Sequence, residues 1–175
     1  MVIAIRRAVE GDLPQIGRVV VDAWRSTFAG LLPADFLNNM SCTQQIERHR
    51  RAFARPEATY HVASVGDGDV VGFASGGPSR QGYFPQENEV YAIFILEGYQ
   101  RQKIGCDLFR AVIDDLKESD RKGLIVFALA RNPNLGFYEK LGGVQAIAKP
   151  LMLGAETVDQ LAYIWDDISA LLQSS

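Results

Sequence analysis

The stretch Tyr99-Gln100-Arg101-Gln102-Lys103-Ile104-Gly105-Cys106-Asp107-Leu108-Phe109 marks a junction between two kinds of pattern. Before it, Val90 to Leu96 is an apolar run of strand length. After it, Ile104, Leu108, Ala111, Val112 and Leu116 recur at helical spacing. A strand therefore ends, a short basic turn follows, and a helix spans 103–118. A helix start presents unpaired N–H groups and partial positive charge, which suits a phosphate. Gly105 permits close approach of the backbone, and Arg101 and Lys103 add charge. The plainer reading is an ordinary strand-to-helix connection, since short glycine motifs match often by chance.

Working outward, Leu124 to Leu129 is a second buried-strand run, and Asn132-Pro133-Asn134-Leu135-Gly136-Phe137-Tyr138-Glu139-Lys140-Leu141-Gly142-Gly143 follows it. Pro133 suits a first helical turn with Asn132 as its cap, and Gly142 suits the stop. Upstream, Val2 to Arg6 reads as a strand. Asp12 reads as the cap of a helix whose apolar face is Leu13, Ile16, Val20, Ala23 and Trp24. Gly30 and Pro33 break that pattern before a second helical stretch, and residues 43–55 look helical and charged. Tyr60 to Val65 and Val70 to Ser75 flank Gly66-Asp67-Gly68-Asp69, a hairpin signal. Residues 79–88 read as loop. Val144 to Met152 and Val158 to Trp165 form a closing antiparallel pair, and Asp166 caps a short last helix through Leu172. This order predicts an α/β (α+β) fold: one domain over 1–175, with a mixed central sheet of about seven strands and helices on both faces.

The 175 residues are 47% hydrophobic and 22% charged, with a formal net charge of -3. That balance argues against a nucleic-acid footprint. The local cluster Arg48, Arg50 and Arg51 reads as a solvated helix face. Two cysteines, Cys42 and Cys106, make no disulfide framework, so a reducing cytosol is expected. Neither a leader-like apolar segment near Met1 nor an apolar run of ~18 residues is visible, so no membrane partner is expected. No zinc, P-loop or serine-elbow pattern occurs, and no metal is expected.

The order strand, turn, helix, strand and then "NPNLGFYEKLGG" resembles the GNAT N-acetyltransferase superfamily. That family writes its turn Gln/Arg-x-x-Gly-x-Gly/Ala. Here the turn is Gln100-Arg101-Gln102-Lys103-Ile104-Gly105, with Lys103 in place of the first glycine. The stretches "IRRAVEGDLPQI", "AWRSTFAGLLP" and "LAYIWDD" are also similar to members, so the resemblance covers nearly the whole chain. It implies an acetyl-CoA-dependent N-acyltransferase that moves acetyl directly to a small-molecule or peptide amine in a ternary complex, and a homodimer. The alternative is a non-catalytic acyl-CoA-binding module.

The resemblance also assigns residues. The amides of Arg101, Gln102, Lys103, Ile104, Gly105 and Cys106 would cradle the coenzyme A pyrophosphate. Lys103 is expected in ordinary right-handed backbone, where a side chain carries no penalty. Ile95, with Leu96 beside it, would meet the acyl arm, and the Ile95 N–H would face the thioester carbonyl. Tyr138 would act as the acid at the leaving sulfur. Glu89, directly or through water, is the candidate base, with His61 and His49 as alternatives. Asn132 and Asn134 would reach the pantetheine or nucleotide arm. Trp24, Phe28 and Tyr83 would border the acceptor, and Asp35 and Glu87 could attract a cationic amine.

Overall fold

The structure is a computed structural model and describes residues 2–172. Its strands are β1 (Ile3–Arg7), β2 (Thr59–Val65), β3 (Asp69–Pro78), β4 (Asn88–Ile95), β5 (Leu124–Leu129), β6 (Val144–Ile147), β7 (Leu151–Leu153), β8 (Glu156–Val158) and β9 (Gln160–Trp165). The helices are α1 (Leu13–Thr27), α2 (Ala34–Asn38), α3 (Cys42–Phe53), α4 (Ile104–Leu116) and α5 (Gly136–Lys140).

Seven strands form one sheet in the order β1-β2-β3-β4-β5-β9-β6. The β4–β5 pair is parallel, because α4 carries the chain back across the sheet. Every other neighbouring pair is antiparallel. The apolar runs seen in the sequence are the middle strands, buried on both faces. On one face Leu13, Ile16, Val19 and Val20 of α1 pack on Tyr60, Val62, Val70 and Phe73. On the other, Leu108, Val112, Ile113 and Leu116 of α4 pack on Ala63, Ala74, Val90 and Val126. Each fully buried Val, Leu, Ile or Phe among them contributes about 1.5–3 kcal/mol by leaving water.

One irregularity positions everything that follows. β4 and β5 pair only at Asn88–Leu124, Glu89–Ile125 and Val90–Val126. β4 stays paired with β3 as far as Ile95 opposite Gly72. The two parallel strands therefore part after Val90, leaving the β5-facing edge of β4 open.

Three local expectations are corrected. Asp12 precedes α1 without capping it. Its carboxylate instead takes two bonds from the Arg6 guanidinium, at 2.7 and 2.9 Å, and one from the Val9 N–H at 2.8 Å. Asn132 caps no helix: α5 starts only at Gly136, and the Asn132 side chain accepts the Asn134 N–H in a tight Asx turn. The last short helix, Ile168–Leu172, is capped by Asp167, which accepts the Ser169 N–H, and not by Asp166. The closing pair does form, but over Val144–Ile147, with a separate hairpin of β7 and β8 before β9.

Candidate active site

Where β4 and β5 part, a cleft of about 480 Å³ opens. Its floor is Val90 to Phe94 on one strand and Val126 to Leu129 on the other. Trp24 and Phe28 of the α1 end form one wall, with ring centroids 4.9 Å apart. Tyr83 forms part of the other, beside Phe84 and Phe127. Leu151 of the β7–β8 hairpin closes a rim, and Phe28, Leu129, Leu153 and Val158 hold that hairpin in place.

Glu89, Asn132 and Tyr138 also line this cleft, so the structure brings together residues far apart in sequence. Glu89 is no surface carboxylate: it is 2% exposed. Arg80 holds it, donating from Nη2 at 2.6 Å, Nε at 3.2 Å and the main-chain N–H at 2.9 Å. The Arg80 guanidinium lies 4.2 Å from the Tyr91 ring centroid, and the Tyr91 hydroxyl donates to the Pro78 carbonyl. Three donors fix the direction of the buried carboxylate oxygens.

Tyr138 stacks on Tyr163, with Phe137 edge-on at 5.3 Å. Burial raises its phenol well above the usual value, so the hydroxyl keeps its proton at neutral pH. Such a phenol donates a hydrogen bond to a developing thiolate.

The direction of the Ile95 N–H follows from strand alternation. Leu96 donates to the Val71 carbonyl on β3 at 2.9 Å. The neighbouring Ile95 N–H therefore points the other way, toward the open edge. The Ile95 carbonyl, on that same side, accepts from Gln100 Nε2 at 3.1 Å. Gln100 thus ties the turn to the strand end, a role the motif spelling alone does not reveal. Leu96 is engaged at both ends, since its carbonyl accepts the Tyr99 N–H. Any contact it makes with an acyl arm is through its side chain.

Beyond Ile95 the chain turns tightly. Arg101 and Lys103 both take left-handed backbone, at φ 63° and 66°. The expectation for Lys103 is corrected: the first glycine of the family's spelling occupies a position that favours glycine, and lysine there is strained. Among the described residues, the N–H groups of Arg101 to Cys106 have no main-chain acceptor. They form a row of donors ending at the start of α4, which fits a pyrophosphate. Gly105 serves a different end from the one expected. A Cβ there would lie 3.3 Å from Ile95 Cδ1 and Phe137 Cε2, so glycine lets α4 sit close on β4 and α5.

The remaining candidates separate. Asn134 does not line the cleft and bonds to Asn132. His61 points to α4, where Asp115 holds its Nε2 at 2.8 Å and also accepts from Thr59. His49 is packed between Tyr60 and Phe73, with Nδ1 3.1 Å from the Tyr60 hydroxyl. Burial, then Arg48 and Arg80, lower its pKa to about 4. Neither histidine lines the cleft. Among the described residues, no group of three or more His, Cys, Asp or Glu is placed to hold a metal ion, and no helix is long and apolar enough to cross a membrane. Both cysteines are free.

A parted parallel strand pair with a turn of free amides beyond it defines an acetyltransferase fold. The sequence model of the acetyltransferase (GNAT) family matches residues 22–143, and the chain belongs to that family. It is an acetyl-CoA-dependent N-acetyltransferase. The chain is similar to the uncharacterised N-acetyltransferase YuaI of Bacillus subtilis strain 168, at 28% identity over 97% of this chain and 96% of that one. Its fold is similar to that of PaiA N-acetyltransferase from Thermoplasma acidophilum, solved with coenzyme A. The TM-score is 0.69 and identity 18%, over 91% of this chain and 98% of that one. It is also similar to YncA of Salmonella typhimurium, solved with its cofactor acetyl-CoA, with TM-score 0.68 and 14% identity over 95% and 94% of the two chains.

Proposed function

We propose that this chain acetylates an amine by direct transfer, with the amine in the β4–β5 cleft and acetyl-CoA along the open edge of β4. The observation that carries this reading is the strand parting after Val90. It leaves the Ile95 N–H aimed at the cleft lined by Tyr138 and Glu89, next to the free amides of 101–106.

Acetyl-CoA supplies the activated thioester. The amides of Arg101 to Cys106 hold the pyrophosphate, and Lys103 adds a positive charge. Asn132 borders the acyl arm, and Asn134 fixes the direction of Asn132 by donating to it. The Ile95 N–H donates to the carbonyl oxygen as charge develops there, a placement worth several kcal/mol in a dry site. Tyr138 keeps a proton directed at the sulfur. Glu89, directly or through one water, takes the proton from the amine. Trp24, Phe28 and Tyr83 enclose the acceptor.

The acceptor is a small molecule or a peptide amine. The reading includes one domain over residues 1–175, supported by β9 lying between β5 and β6. It includes a cytosolic location, in keeping with two free cysteines. It also includes a homodimer, for which the exposed Val144 and Ile147 on edge strand β6 offer a face. Sedimentation velocity tests the dimer. The main test is thermal shift with acetyl-CoA against ATP and NADH, followed by an amine screen for thiol release. A shift with acetyl-CoA alone and turnover of an amine are expected; no shift would overturn the reading.

A further inference from the structure

At its Tyr91 end the cleft continues into a second hollow of about 500 Å³. Arg48, Arg51, Arg55 and Arg80 line it, with Tyr91 and one carboxylate, Glu47. Arg48, Arg80 and Tyr91 belong to both hollows and so join them. The arginines at 48, 51 and 55 fall on one face of α3 and its continuation. Four arginines line this hollow although the chain as a whole carries a net charge of -3.

The existing pairs do not neutralise this charge. Glu47 is engaged by Arg50 at 2.8 Å and by Arg51 at 3.4 Å. Glu89 is engaged by Arg80. Among the described residues, Arg48 and Arg55 have no carboxylate partner. Their field reaches inward: Arg48 and Arg80 help to lower His49, and Arg80, Arg48 and Arg55 oppose the rise that burial gives Tyr60. Asp35 and Glu87, which could have attracted a cation, are exposed and line neither hollow.

Position separates this groove from the acetyl-CoA phosphates. Tyr91 precedes Ile95 by four residues, roughly 13 Å along a strand. The free amides of 101–106 lie beyond Ile95, at the opposite end. The groove is therefore on the acceptor side.

We propose that the acceptor is an amine bearing an anionic group, with its amine in the β4–β5 cleft and its carboxylate or phosphate between Arg48 and Arg55. This rests on the acetyl-transfer reading above. Arginine suits such a group because its planar fork meets carboxylate or phosphate oxygens in pairs.

The test compares acetylation of three C-terminally amidated peptides with free N-termini: Ala-Glu-Glu-Glu, Ala-Gln-Gln-Gln and Ala-Lys-Lys-Lys. O-phosphoethanolamine is set against ethanolamine in parallel, so the two arms separate carboxylate from phosphate. In at least one arm the anionic member is expected to exceed its neutral match in kcat/KM by about tenfold or more, and that ratio to fall toward one in an Arg48→Gln, Arg55→Gln double variant. The preference should also weaken between low and high salt. A preference for the lysine peptide, or a ratio unchanged in the double variant, would overturn the proposal. Binding is measured separately by calorimetry of the same probes on protein saturated with coenzyme A. Anionic probes that bind through Arg48 and Arg55 without reacting would uphold the groove and count against acetyl transfer. Anionic probes that neither bind nor react better than neutral ones would sink the groove alone, provided acetyl-CoA still shifts the melting point.

Discussion

The ring of Tyr138 stacks on the ring of Tyr163, with centroids 5.2 Å apart and planes 29° from parallel. The stack fixes the ring of a residue that lines the cleft. Tyr138→Phe keeps the ring and removes only that oxygen. Turnover should fall on the order of 10²-fold, the usual worth of a positioned proton donor. The melting shift given by acetyl-CoA should persist. A kcat within twofold of the parent would take Tyr138 out of the mechanism.

Glu89→Gln preserves shape and leaves Arg80 facing an amide. We expect kcat/KM to drop by about 10²-fold. Steady-state kinetics of parent and variant make the comparison. A kcat/KM within twofold of the parent would assign the base to water and leave Glu89 as the anchor of Arg80.

Lys103→Gly relieves a left-handed residue. The gain is about 1 kcal/mol, once the extra freedom of glycine in the unfolded chain is set against it. For a chain of this size the melting temperature should rise by about 2–4 °C. Calorimetry without ligand reads this directly. A lower melting temperature would mean that the lysine side chain itself braces the turn.

His49 makes stability depend on pH. Its folded pKa of about 4 lies below the ordinary value of 6.5, so the unfolded chain binds the proton more tightly. The stabilising effect of the neutral ring is complete above ~6.5 and is lost as pH falls toward 4. Between pH 7 and pH 5 the chain should lose about 2 kcal/mol from this group. Urea unfolding at the two values, in parent and in His49→Phe, isolates it. An equal loss in both proteins would show that other groups carry the effect.

The strands were legible because burial on both faces writes continuous apolar runs, as in Leu124 to Leu129. The hairpin was legible because Gly66 and Gly68 take positive φ, at 53° and 113°. Asp12 was misread for a reason of energy: two bonds from Arg6, six residues upstream, outweigh one capping bond. Asn132 failed similarly, since its side chain is satisfied two residues on. The conformation of Lys103 cannot be read from lysine, although the family's glycine at that place is a signal for it. The arginine groove was hidden by counting charges in a run. Read at i, i+3 and i+7, Arg48, Arg51 and Arg55 separate from Arg50 and share one side. Arg80, the partner of Glu89, lies in a loop whose composition says nothing of where it folds back.

The strand order carries a consequence for biosynthesis. β9 is the last of the described strands, yet it pairs directly with β5 near the centre of the sheet. A nascent chain that has made β5 exposes an unpaired strand edge until Trp165 leaves the ribosome, roughly two to seven seconds later at ~5–20 residues per second. During that interval the half-built sheet offers its stickiest edge to neighbouring polypeptides, and a chaperone that shields it would act there.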